Sequence, residues 1–200
     1  MIRFHVPILL GTLITLAWSA PARAEWTVVP PRAGQVGLSA QGQYGMLLDS
    51  GTIGQEFEAG PGLAVRLRYR MRYERAMGLS FESQRFDVRV LAPADTAANH
   101  MSVFTYGFDI YQLFGTRTRT TKWLGVGAGL VQFRRVLNDK EIDFTSSTDG
   151  AYVSAGAGVE RFVWQSWALD LSGKYLAVLR DGHANHDFQA SVGLIVYATY

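Results

Sequence analysis

Four arginines, Arg66, Arg68, Arg70 and Arg72, occupy alternate positions in the segment V-R-L-R-Y-R-M-R-Y, residues 65–73. A helix would scatter them round its circumference, whereas an extended chain sets all of them on one side. A row of guanidinium groups on one face suits two kinds of chemistry: lining a path for anions, or locking carboxylates into ion pairs. The carboxylates on comparable alternating segments are Glu82, Asp109, Glu160 and Asp170, and Lys174 adds a further cation. Five positive charges against four negative ones are close to balance, and a charge in a narrow interior is costly unless paired. Brought face to face, these nine residues would form a salt-bridged network. A hairpin turning at Arg75 would set Arg68 opposite Glu82.

Other constellations are weaker. His100-Met101-Ser102 places a base and a hydroxyl two residues apart, on one face of a strand, as nucleophilic hydrolysis requires. That face continues with Phe104, Tyr106, Phe108, Ile110 and Gln112, which include no acid, and Glu82 is expected to point the other way. His183 and His186 lie near Asp181 and Asp187 without the ordered spacing of a metal site. Asp49, Glu56 and Glu58, and then Asp139, Glu141, Asp143 and Asp149, read as solvated loop acids. Arg134 and Arg135 suit lipid phosphates or anchoring at an interface equally well. The chain has no cysteine, which excludes disulfides and thiolate chemistry, and its formal charge of +2 is too small to imply nucleic acid. No catalytic residue, cofactor or metal is expected.

The elements that must position the charges all alternate with period two. Eight strands are read at 34–48, 61–74, 76–90, 99–114, 122–136, 150–162, 166–179 and 186–200. The second is the clearest; in the last, Phe188, Ala190, Val192, Leu194, Val196, Ala198 and Tyr200 share one face, with Ile195 and Tyr197 as exceptions on the other. The far end of the third strand (Phe86, Val88, Val90) loses its pattern, which suggests a bulge. Opposite the apolar faces stand Gly, Ser, Gln and charged residues. Glycine-rich faces suit a crowded inside better than a solvated outside, so the apolar side is expected to face lipid. Trp123, Trp164, Trp167, Tyr73 and Tyr200 fall near strand ends, where interface girdles sit.

Residues 1–24 read as a cleaved signal peptide: Arg3, an apolar run from Val6 to Trp18, and Ala22-Arg23-Ala24 before Glu25. The remainder, 25–200, is then one exported domain, ending on an amphipathic strand that closure would pair with the first. Long connections are expected at Asp49–Gly60, Leu91–Asn99, Leu137–Asp149 and Arg180–Asn185. Short ones are expected at Glu74-Arg75, Gly115–Thr121 and Phe162–Gln165. With both termini in the periplasm, the long connections all fall outside, as in bacterial outer-membrane barrels.

On these features the chain resembles the small eight-stranded outer-membrane barrels: the transmembrane domain of outer membrane protein A and the opacity-type "porin family" proteins. The resemblance extends over the mature chain in architecture. In motif it rests on the last strand, where Ser191, Gly193, Val196 and Ala198, followed by Tyr200, fit the family's insertion signal. It implies an all-β, antiparallel, up-and-down transmembrane barrel with short periplasmic turns and four longer extracellular loops. It also implies the barrel assembly machinery as a partner during biogenesis, and outer-membrane lipids and lipopolysaccharide as surroundings. A monomer is expected, without the periplasmic wall-binding domain of outer membrane protein A. The implied role is non-catalytic, structural or in surface interaction, with a salt-bridged plug closing the lumen. Some barrels of this size act on lipid A through a His-x-Ser pair, which makes His100 and Ser102 the enzymatic alternative. A narrow pore along the arginines is another.

Overall fold

The computed structural model describes residues 33–48, 57–87, 100–137, 140–142, 149–164, 166–180 and 183–198. The proposed signal peptide and most of the long connections lie outside these residues, as does Tyr200. Nine strands are present among them: β1 Val36–Leu47, β2 Gly60–Arg72, β3 Arg75–Asp87, β4 His100–Phe114, β5 Thr120–Leu137, β6 Lys140–Ile142, β7 Asp149–Trp164, β8 Trp167–Arg180 and β9 His183–Tyr197. Every pairing is antiparallel. Chain neighbours pair in turn, β5 passes directly to β7, β4 pairs with β5, and β1 pairs with both β2 and β9. Eight strands therefore close into a barrel, and the three-residue β6 pairs only with the far end of β5. Closure leaves no unpaired edge on those eight strands, the condition a sheet must meet to stand in lipid.

Alternation decides the two faces. On β2 the even residues Ala64, Arg66, Arg68 and Arg70 are buried, while Leu63, Val65, Leu67, Tyr69 and Met71 are exposed. The same division holds round the barrel: Leu79, Phe81, Tyr106, Phe108, Ile110, Leu124, Val126, Leu130, Val153, Leu171, Val192 and Leu194 are all exposed. In water this belt would be an extreme apolar surface; against acyl chains it is the stable arrangement.

Several boundaries differ from the sequence expectation. β3 shows no phase change up to its end at Asp87: Phe86 stays on the inward face and is buried. What changes there is the interior, which turns from charged to apolar. Phe86 joins Phe57, Met101, Val131, Phe133, Tyr152, Leu176 and Val178 in an apolar cluster at the end of the barrel where the long connections lie. Most of the expected loop Arg180–Asn185 is strand, because Arg180 pairs with His183 across residues 181–182. The first hairpin turns at Tyr73-Glu74, with Arg72 opposite Arg75.

At the opposite, turn end the interior holds two further apolar groups: Ala76, Tyr111, Leu113 and Trp123, and Phe162, Ala168, Ile195 and Tyr197. Gly115, with φ of +70°, opens the turn between β4 and β5, and Thr118 donates from its backbone and its hydroxyl to the Gly115 carbonyl. The charged residues are thus held between apolar layers at both ends.

Candidate functional site

Two ion-pair groups fill the middle of the barrel. Nearer the loop end, Glu82 on β3 accepts from Arg66 Nη2 of β2 at 3.0 Å and from Lys174 Nζ of β8 at 3.1 Å, both through Oε1. Its Oε2 accepts from the Thr105 hydroxyl of β4 at 3.3 Å. Lys174 also lies 3.9 Å from Asp109 Oδ1. Arg66 Nη1 reaches Ser172 at 3.5 Å, and that hydroxyl shares a 2.7 Å hydrogen bond with Ser191. Strands on opposite walls are therefore tied through one carboxylate.

Nearer the turn end, Glu160 of β7 takes the central place. Arg68 is ion-paired to its Oε1, and Arg70 Nη2 donates to its Oε2 at 2.8 Å. The Tyr197 hydroxyl donates to the same oxygen at 2.9 Å and accepts from Arg70 at 3.1 Å. Asp170 lies 3.7 Å from Arg68 Nη2. Aromatic faces complete the packing. The Arg68 guanidinium carbon stands 4.3 Å from the Tyr111 ring centroid and 5.3 Å from that of Trp123, and Arg70 stands 4.9 Å from Tyr197. A desolvated cation over a ring gains on the order of 2 kcal/mol, which offsets part of the cost of dehydrating it.

All of these charged side chains are at least nine-tenths buried. A small cavity beside Lys174, lined by Arg66, Asp109, Tyr111, Trp123 and Ser154, has room for about one water molecule.

Sequence and structure part company at particular residues. The expected pair Arg68–Glu82 does not form. The hairpin turns before Arg75, so Arg68 pairs with Gly78 and Glu82 with Ala64, and Glu82 takes Arg66 instead. Arg72 is exposed beside the turn rather than in the lumen, because the register shifts between Arg70 and Arg72. The remaining eight expected residues are brought together inside. Trp123 is buried inward and belongs to the Arg68 packing rather than to a girdle, while Tyr73, Trp164 and Trp167 are exposed near the turn end. Tyr197 was missed as a site residue. Its signal was present in the exceptions to the last strand's alternation, since Ile195 and Tyr197 are the apolar residues that face inward.

Ser191 is buried on the inward face of β9, Gly193 shares that face against Gln41, and Val196 and Ala198 lie on the outward one. His100 and Ser102 are half-buried on the outward face of β4, and Asp87 stands opposite His100 on β3. The acid absent from β4 is thus supplied by the neighbouring strand. However, Asp87 Oδ1 accepts from Arg85 Nε at 3.3 Å, and no hydrogen bond joins Asp87, His100 and Ser102 to one another. His183 belongs to β9 rather than to the expected loop, and so stands on one strand with His186 and Asp187; His186 stacks on Tyr175, and the described residues contain no metal-binding cluster. Asp181 lies outside the described residues.

No family model matches the chain, and no curated protein matches it by sequence. Solved structures do match in fold. Neisserial surface protein A superposes with a TM-score of 0.62 at 16% identity, over 80% of this chain and 96% of that one. The outer membrane protein OprG from Pseudomonas aeruginosa gives 0.61 at 11% identity, over 86% and 100%. Ail, the attachment invasion locus protein of Yersinia pestis, gives 0.55 at 14% identity, over 83% and 99%. With a closed barrel, an apolar outer belt and a charged interior, this chain has the fold of the small eight-stranded barrels of the bacterial outer membrane.

Proposed function

We propose that this chain is a non-catalytic integral outer-membrane protein, sealed along its axis and serving envelope integrity or contact at the cell surface. The observation that supports sealing is the convergence of Arg66, Lys174, Glu82 and Asp109 from four strands on one level of the interior, between apolar layers. An ion crossing this level would have to displace paired, buried side chains. In this reading the loop end faces the exterior, lipopolysaccharide and other outer-membrane lipids surround a monomer, and the assembly machinery reads the carboxy-terminal segment during insertion through Ser191, Gly193, Val196, Ala198 and Tyr200.

A narrow anion path is the second reading, favoured by the cavity that touches both Arg66 and Lys174. Planar-bilayer recording separates the two. The sealed barrel is silent, and Glu82→Ala, which leaves Arg66 and Lys174 without their shared partner, produces anion-preferring steps. Stable conductance from the unmodified chain would replace the plug with the pore.

A further inference from the structure

The interior holds one acid that the two ion-pair groups do not use. Counting Asp187, the described interior carries five buried carboxylates against four buried cations, Arg66, Arg68, Arg70 and Lys174. Asp187 lies on the inward face of β9 toward the loop end, opposite Leu47 of β1 and Leu176 of β8. None of the ion pairs among the described residues includes it. The charged groups that face it are Glu82 of β3 and Lys174 of β8, already paired to each other at 3.1 Å, with Arg66 and Asp109 at the same level. β1 and β2 contribute Gly45, Leu47 and Gly60 beside it, none of which titrates.

Its hydrogen bonding is half complete. Gln189, two residues along the same strand face, donates from Nε2 to Asp187 Oδ2 at 2.8 Å and to Gln84 Oε1 of β3 at 3.1 Å. Gln84 Nε2 donates in turn to the Gly60 carbonyl of β2 at 3.2 Å. Gly45, without a side chain, leaves the space that the Gln84 amide fills. These bonds tie β9 to β3, although β1 and β2 lie between them in the sheet. Two atoms are left over, Asp187 Oδ1 and Gln189 Oε1, both buried and without a hydrogen-bond partner. Both are acceptors, so they cannot satisfy each other while the carboxylate is ionised. In the un-ionised acid Oδ1–H is a donor, and an acid and an amide close a ring of two hydrogen bonds. One of those two bonds is the 2.8 Å contact already present. The two orphaned atoms are the ends of the other.

We propose that Asp187 is protonated in the folded barrel, with its Oδ1–H donated to Gln189 Oε1, and that this acid–amide pair is a proton-operated latch joining β9 to β3 at the loop end. One proton, taken from solvent, removes the surplus negative charge and satisfies both orphaned atoms. A metal ion suits the pair less well, because a hard cation takes six or more oxygens and the pair offers two. Loss of the proton sets a bare charge against an amide oxygen in a buried space, which weakens the tie between β9 and β3. A folded chain that holds one proton more than its unfolded form loses stability as pH rises. The latch stands on the geometry of the interior and does not depend on the sealing proposed above.

Infrared difference spectroscopy and urea unfolding of the folded barrel in detergent micelles test it together. Asp187→Asn replaces the acid by an amide of the same shape, which closes the same ring at every pH. The unmodified barrel minus this variant should show the carbonyl stretch of an un-ionised carboxylic acid. In Gln189→Met that band should move, because its partner is gone; an unmoved band would overturn the pairing. The folding equilibrium constant of the unmodified barrel, divided by that of Asp187→Asn, should fall about tenfold per pH unit above about pH 5, where the unfolded aspartate has lost its proton, until the folded barrel releases its own. A ratio independent of pH, or the lack of an acid band, would mean that Asp187 is ionised and would overturn the latch. Replacing choline by sodium at constant ionic strength should leave the ratio unchanged. A sodium-dependent ratio would put a metal ion at Oδ1 in place of the proton and overturn the latch as well.

Discussion

Arg70 reaches across the barrel from β2 to β7, where its Nη2 donates to Glu160 at 2.8 Å. Arg68, two residues along the same strand, is ion-paired to the other oxygen of that carboxylate. One acid thus bridges two neighbouring cations that would otherwise repel each other in a buried interior; Asp170, beside Arg68, supplies the second negative charge and Tyr197 completes the group.

Removing Glu160 strands both arginines. Glu160→Leu should cost about 3–5 kcal/mol of stability, the usual penalty for breaking a buried pair. Adding Arg68→Met to that background should restore about 1 kcal/mol or more, because one unpaired charge disappears. Urea unfolding in detergent micelles reads both values; strictly additive losses would mean that Arg68 and Glu160 do not depend on each other.

Two glycines on opposite faces should respond differently to the same change. A methyl group at Gly129 would meet the Tyr106 carbonyl, the Gly107 Cα and the Tyr152 ring, whereas at Gly42, on the lipid face, the nearest atom is the Val192 carbonyl oxygen at 3.9 Å. Gly129→Ala should therefore cost about 1–3 kcal/mol, and Gly42→Ala should be close to neutral. The same unfolding measurement compares them, and equal costs would contradict the assignment of faces.

The outward belt makes a depth prediction. Val126 is 60% exposed midway along β5, so Val126→Arg should cost about 2–4 kcal/mol in lipid vesicles. Gln132→Arg, two rows nearer the loop end than Ala128, should cost about 1 kcal/mol or less. Indistinguishable costs would place the belt somewhere other than the hydrocarbon core.

The fold was legible because a strand's two faces are a local property. The chemistry at positions 65–73 or 188–198 declares which residues share a side, and enough such segments imply a closed sheet. The burial of Arg66, Arg68 and Arg70 follows from that alternation and needs no knowledge of partners. The short turns were legible to within a residue or two, and that margin mattered. Placing the first hairpin at Arg75 instead of Tyr73-Glu74 misaligned β2 and β3 by four residues and paired Arg68 with the wrong acid.

By itself, then, the amino-acid order determined the eight strands of the barrel though not the short β6, the inward and outward faces, and the near balance of interior charge, all of which depend on residues close together along the chain. Only the tertiary structure decided who pairs with whom. Glu160 meets Arg68 and Arg70, Glu82 meets Arg66 and Lys174, and Asp87 stands opposite His100. Each partnership joins different strands, and its identity is set by hairpin register and by closure of β1 on β9. One residue of slip in either would turn a side chain to the other face and leave its partner's charge alone in the interior.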